Sequence, residues 1–318
     1  MSSFNQDLQK KLIAFWRHEP VFDQKSYSLA EATLDFHKAV GGDFVKLTPS
    51  GTYQATTLGL KDAWEGDLLG RRNITFRPIK ESKDWLKLKC TSLGEQEMNC
   101  LQASELLIRN LSNETPLLAT VFSPLSQAIQ LAGLDYLIFC TEYAPDELSR
   151  GLELIAQRTK HLIECYKSLG IHGIYYVSQH HLKTIFPRLK LQPSINIYDQ
   201  FVILSAEGLL LNIMHFHGAP LVEQLPKLPF GWRVHYEFTQ GNLDLISFNS
   251  IRSESLMIGL SIDTLMQGHN DSIRQNTIDE FCTQDAFKSV GFGASCVLPL
   301  NFSLKLASAW VKTVNSYE

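Results

Sequence analysis

The stretch Leu209-Leu210-Leu211-Asn212-Ile213-Met214-His215-Phe216-His217-Gly218 decides how the rest of the chain is read. Its apolar run, Leu209 to Met214, is broken only by Asn212 and has the length of a buried strand. A strand that is apolar at consecutive positions is covered on both faces, as in a parallel sheet flanked by helices. Two imidazoles close the run, just before a glycine. Alternate residues of an extended chain point the same way, so His215 and His217 project to one side and Phe216 to the other. Two neutral imidazoles so placed are either the start of a metal site or a pair of hydrogen-bonded core histidines.

Working outward, further strands are read at 43–49, 117–122, 172–178, 232–238, 255–262 and 290–296. Helices are read between them at 28–40, 95–111, 125–132, 145–170, 195–205, 221–226, 271–285 and 302–315. The clearest begins at Pro145, where proline suits the first turn and Asp146 and Glu147 favour the positive end of the helix. Gly170 stops it. Residues 4–18 carry Phe4, Leu8, Leu12, Ile13 and Phe15 near helical spacing, which predicts an outer helix ended by Pro20. No repeat or linker interrupts the alternation, so residues 1–318 are read as one domain. At this length the alternation predicts an α/β fold, a single (β/α)8 TIM barrel with an N-terminal helical extension. A doubly wound open sheet is the alternative. It would be favoured by a glycine-rich phosphate loop, and none follows the first strand.

Composition removes several classes of function. The 318 residues are 44% hydrophobic and 19% charged, with a net charge of -4 and no basic stripe, which argues against nucleic acid as a partner. No apolar segment reaches the ~20 residues of a membrane span. The first twenty residues lack the apolar core and cleavage site of a signal peptide. Six scattered cysteines without a Cys-X-X-Cys pair suggest thiols in a reducing, cytoplasmic setting.

In a (β/α)8 barrel the site lies at the C-terminal strand ends. Those ends present Thr48 to Tyr53, Phe122-Ser123-Pro124, Ser178-Gln179-His180-His181, His215 and His217, His235 and Glu237, Asp263, and Cys296. Histidine, carboxylate and thiol donors of this kind suit zinc. Of the other groups, Tyr53 either lines the pocket or packs. Ser123 contacts ligand or bonds to backbone. Asp263 is a base or a helix N-cap.

The segments Thr48-Pro49-Ser50-Gly51-Thr52-Tyr53, Thr120 to Leu125, Gly170 to Tyr176, His215-Phe216-His217-Gly218 and Gly293 to Pro299, in this order and spacing, resemble the uroporphyrinogen decarboxylase superfamily. That family includes the decarboxylase and zinc-dependent methyltransferases that move methyl groups between corrinoids and thiols. The resemblance implies a (β/α)8 barrel. In the methyltransferase branch a His-X-Cys motif and a distant cysteine bind zinc. His215 matches the histidine, His217 stands where the first cysteine would be, and Cys296 falls at the distant one, roughly eighty residues on. A related zinc family adds a glutamate from the next strand, and Glu237 lies near that offset.

The site implied by the resemblance is therefore catalytic at His215, His217 and Cys296, with Glu237 as a further metal ligand. Tyr53, Phe122, Ser123, Gln179 and His235, at the strand ends, are the candidate substrate contacts. The implied cofactor is zinc, with a corrinoid as methyl donor or partner and a homodimer as the assembly. Imidazole in place of one thiolate leaves the site less negative and a bound thiolate less nucleophilic. The decarboxylase branch implies a tetrapyrrole or other carboxylated substrate. Its arginine-rich N-terminal segment and its aspartate after the first strand have no counterpart in His18 to Tyr27 or Phe44 to Pro49. Arg71, Arg72 and Arg77 either serve that role or belong to a solvated loop. A barrel that binds a tetrapyrrole or corrinoid without catalysis is the non-enzymatic alternative.

Overall fold

The structure, a computed structural model, describes residues 11–89, 92–180, 186–189, 194–218, 228–237, 256–282 and 290–317. In chain order the elements are α1 (Ser26–Val40), β1 (Val45–Leu47), α2 (Tyr53–Thr57), β2 (Lys61–Ala63), β3 (Asn73–Phe76), α3 (Glu95–Asn110), β4 (Leu117–Phe122), α4 (Pro124–Ala132), α5 (Leu134–Tyr143) and α6 (Pro145–Leu169). They continue with β5 (Gly173–Ser178), α7 (Ser194–Ser205), β6 (Asn212–Phe216), β7 (Trp232–Glu237), β8 (Leu256–Leu260), α8 (Ile262–Gln267), α9 (Asp271–Cys282), β9 (Gly291–Ala294) and α10 (Leu304–Asn315).

Seven strands pair in the order β1-β4-β5-β6-β7-β8-β9, every pairing parallel. The sheet curls as a TIM-barrel-like α/β fold with helices outside it. Strands β4, β5, β6 and β8 are buried at every position, which is why they read as continuous apolar runs. Helix α6 buries Leu148, Leu152, Ile155, Leu162, Ile163 and Tyr166 along one stripe, each large aliphatic burial being worth about 1.5–3 kcal/mol. It ends at Gly170, whose φ of 86° is the left-handed conformation that glycine adopts without strain.

The N-terminal segment corrects the sequence reading. Residues 11–18 are not helical. Ile13 bridges Phe292 of β9 in parallel, with Phe292 N donating to Leu12 O at 2.6 Å and Ala14 N donating to Phe292 O at 3.2 Å. On the other side Asp43 N donates to Ile13 O at 2.8 Å, and Ile13 N donates to Asp43 Oδ2 at 2.7 Å. The segment thus lies between the last strand and the entry to the first, where an eighth strand would stand. The physical reason is in its core: Ile13, Ala14, Phe15 and Trp16 are all buried. Four consecutive buried residues suit an extended chain covered on both faces, and an outer helix buries only one stripe. Residues 4–10 of the predicted helix, and the helix read at 221–226, lie outside the described residues. Helix α5 was not anticipated, and the loop after β1 runs directly into the short helix α2.

Register sets the inner face. Residues paired across parallel strands point the same way, as do alternate residues along one strand. Lys46 pairs with Leu118, Thr120 with Tyr175, Val177 with His215, His215 with His235, and His235 with Met257. Lys46, Tyr175, His215 and His235 therefore share one face of the sheet.

Candidate functional site

At the end of β6 the chain leaves its strand between Phe216 and Gly218, where φ is 70°. The turn carries His217 off the sheet beside His215, with the two rings 6.2 Å apart. The loop after β9 brings in Cys296. His215, His217 and Cys296 each present one ligand atom, and these atoms all lie within 4.8 Å of one another. Gly259 on β8 permits this approach, since a Cβ there would sit 2.8 Å from Ser295 Cα and 2.5 Å from Tyr236 O.

The electrostatics of the three donors differ. His215 is 1% exposed, and among the described residues neither ring nitrogen has a hydrogen-bond partner. The His235 backbone lies near enough to favour the charged ring slightly, without aligning as a bond. Burial outweighs it and holds the His215 pKa well below 6.5, helped by His235, His217 and Lys46. Burial also lowers His217, opposed by Glu237. The Cys296 thiol is pushed up to about 11 by burial, against the pull of Lys46 and Arg71. Without an electrophile beside it, Cys296 Sγ keeps its proton at neutral pH, whereas His215 is an uncharged imidazole whose N–H and lone-pair nitrogen both lack a partner among the described residues.

His235, 0% exposed, is held differently. Its Nε2 lies 3.0 Å from Ala294 O and its Nδ1 2.6 Å from Tyr175 OH. A carbonyl only accepts, so Nε2 carries the hydrogen and Nδ1 accepts from Tyr175. Both nitrogens are committed to protein groups, and burial lowers the pKa to about 3. Where the sequence reading placed His235 against substrate, its visible bonds tie Ala294, two residues before Cys296, to β7. Its ring also stacks on His215 at 4.8 Å and 28°.

The remaining predicted residues surround this centre at different depths. Glu237 is half-buried and coupled to His217 and Cys296, but it is not among the three whose ligand atoms meet. Tyr53 is buried and donates to Thr120 O at 2.6 Å. Phe122 is buried against it, with ring centroids 6.3 Å apart. Ser123 caps α4, accepting from Ser126 N, and lies 3.3 Å from His180 Nδ1. The half-buried Gln179 donates its backbone N–H to Ser126 Oγ at 2.9 Å. The N-cap of α8 is Ser261, so Asp263 stands exposed in the first turn. His181 lies outside the described residues.

The three arginines considered for anionic substrates are engaged elsewhere. Arg72 pairs with Asp23 at 2.6 Å and Asp62 at 3.7 Å, Arg71 pairs with Asp67 at 3.2 Å, and Arg77 donates to Ile129 O and Gln130 O.

Lys46 was missed. It lies on β1, 6% exposed, with Nζ 4.7 Å from the Tyr175 ring and 5.3 Å from the Trp16 ring. A cation in the apolar run Phe44-Val45-Lys46-Leu47 was the available signal.

No sequence-family profile matches the chain, and no curated protein matches it. Solved structures do. A methyltransferase from Methanosarcina mazei superimposes with a TM-score of 0.80 at 13% identity, covering 98% of this chain and 97% of the other. A B12-independent methionine synthase from Shewanella sp. W3-18-1, in complex with selenomethionine, gives a TM-score of 0.58 at 10% identity, with 97% and 96% covered. At these identities the likeness is one of fold. Among the described residues no helix is long and apolar enough to cross a membrane.

Proposed function

We propose that this protein is a zinc-dependent enzyme that transfers a methyl group, from a corrinoid or another donor, to a thiol. The observation that carries the reading is His215, a fully buried imidazole with both nitrogens unbonded among the described residues and two further soft or borderline donors within 4.8 Å. Buried polar groups without partners are rare, and a ligand is the ordinary reason for one at a strand end of a barrel. Two imidazoles and a thiolate fit zinc and leave room for an exogenous ligand. Bound there, zinc supplies a Lewis acid that lowers the pKa of a coordinating thiol.

The chain's own residues supply position. His215 offers a neutral nitrogen because burial excludes its proton. Cys296 must lose its proton to act as a ligand, which couples metal uptake to pH. His235 aligns the Cys296 segment through Ala294 O and flanks His215, the kind of outer contact that orients metal ligands. His217, nearer the solvent, is the donor beside which a substrate enters. The two structural neighbours, by name a methyltransferase and a methionine synthase, support methyl transfer over decarboxylation. The engagement of Arg71, Arg72 and Arg77 with protein partners points the same way.

The test is metal analysis of protein from zinc-supplemented growth, followed by methylcobalamin demethylation in the presence of a small thiol. About one zinc per chain and thiol-dependent loss of the methyl group are expected. Under about 0.1 zinc per chain removes the premise.

A further inference from the structure

Lysine is almost never fully buried unless paired, because removing an ammonium from water costs several kcal/mol. Lys46 is buried all the same. Among the described residues its one hydrogen-bond partner is Thr48 Oγ1 at 3.1 Å, and no carboxylate pairs with it. An ammonium has three donors, so two are unused among the described residues. The Tyr175 and Trp16 rings offset part of the cost through cation–π attraction but accept no hydrogen bond of ordinary strength. Neighbouring arginines at the barrel mouth each have an acid: Arg17 has Glu19, Arg71 has Asp67, and Arg72 has Asp23 and Asp62. Lys46 differs from them in this respect.

Its place relates it to the candidate centre. It shares the inner face of the sheet with Tyr175, His215 and His235. Its Nζ lies over the Tyr175 ring, and the same ring stacks on His215 at 5.3 Å and 26°. Its charge is felt at His18, His215, His235 and Cys296. Burial pushes its own pKa down to about 7, with only Cys296 drawing it back up. An arriving anion would restore the charge that burial disfavours.

We propose that Lys46 is an anion-binding residue that takes the acid group, a carboxylate or sulfonate, of the molecule whose thiol meets His215, His217 and Cys296. The thiol half rests on the function proposed above. The anion half rests on Lys46 itself. Lys46 would then determine specificity, separating acidic thiols from neutral thiols of the same size.

Two arms test this on the full-length protein. In the first, calorimetry compares 3-mercaptopropionate with 2-mercaptoethanol on the zinc-loaded protein. The acid is expected to bind about 10- to 100-fold more tightly, the range of a charge-assisted hydrogen bond, and Lys46→Met should reduce that preference to within about twofold. A Lys46→Met protein that keeps the preference overturns the proposal. The second arm needs neither zinc nor a variant. In metal-free wild-type protein, the Lys46 side-chain carbon signals are followed by NMR during titration with propionate and with propionamide. Propionate should move them and propionamide should not. Signals indifferent to propionate overturn the anion site even if zinc binds. Signals that respond to propionate in a protein that takes up no zinc leave the anion site standing and overturn the metal reading alone.

Discussion

His215 and His235 sit side by side in register on β6 and β7, with rings 4.8 Å apart and both buried. They are the same residue in nearly the same surroundings, and burial depresses the pKa of each. The difference lies in their partners. His235 donates to a carbonyl and accepts from a tyrosine, so its polar groups are satisfied within the fold. His215 has no such partner for either nitrogen among the described residues. Burial and residue type therefore do not separate a structural histidine from a candidate ligand. Hydrogen-bond satisfaction does, because an unpaired buried nitrogen costs about 1–3 kcal/mol unless something else bonds to it.

Substitutions at the two positions should break the pair apart. His215→Ala or Cys296→Ser is expected to weaken zinc binding on the order of 1,000-fold, as expected when one of three or four ligands sharing the binding energy is lost. Methyl transfer should fall with it, while the unfolding midpoint of the metal-free protein stays near wild type for Cys296→Ser. Competition with a zinc chelator measures the first effect. His235→Ala should do the reverse. Leaving Tyr175 OH and Ala294 O unpaired beside a cavity costs about 2–4 kcal/mol in denaturant unfolding, with zinc still bound by the protein that remains folded. Equal zinc loss in both variants would erase the distinction drawn between the two histidines.

Acid sharpens the comparison. The folded-state pKa of His235 is about 3 and that of His18 about 4, against 6.5 for an unperturbed histidine. As pH falls from 6.5 toward those values the unfolded chain takes up protons and the fold does not, so stability falls with pH. From pH 7.5 to 5, about 2 kcal/mol should be lost for each group, and His235→Asn should remove its share. Urea unfolding at the two pH values reads this directly. The smallest expected effect is that of His217→Cys, which restores the thiolate of the related motif. It should keep zinc and raise the rate with a small thiol by about tenfold or less, because a more negative ligand set makes a bound thiolate more nucleophilic.

How legible the molecule was varied with the kind of signal. The strands from β4 to β9 and the helices α3, α6 and α10 stood out because apolar periodicity reports burial locally. The segment Leu12 to Trp16 misled because its apolar residues also fall near helical spacing, and only the vacancy between β9 and the entry to β1 selects the extended form. Helix α5 went unseen because only Leu137 and Cys140 of it are buried, which leaves little stripe to detect. The three donors His215, His217 and Cys296 could be named from their order along the chain and a family resemblance. Lys46 could not, since a lone lysine in a short apolar run has nothing local to mark it as functional.

The parallel α/β architecture is legible in residue type along the chain, because alternation and burial are local properties. The sequence also named the residue types available for a metal. Which histidine lacks a partner among the described residues depends on long-range contacts. His235 is satisfied by Tyr175 on β5, 60 residues away, and by Ala294 on β9, 59 residues away. Those bonds exist only once the sheet has curled, and no spacing within β6 or β7 encodes them. The same curling brings Lys46 of β1 to the ring of Tyr175 and leaves its ammonium facing the inside of the sheet without an acid among the described residues.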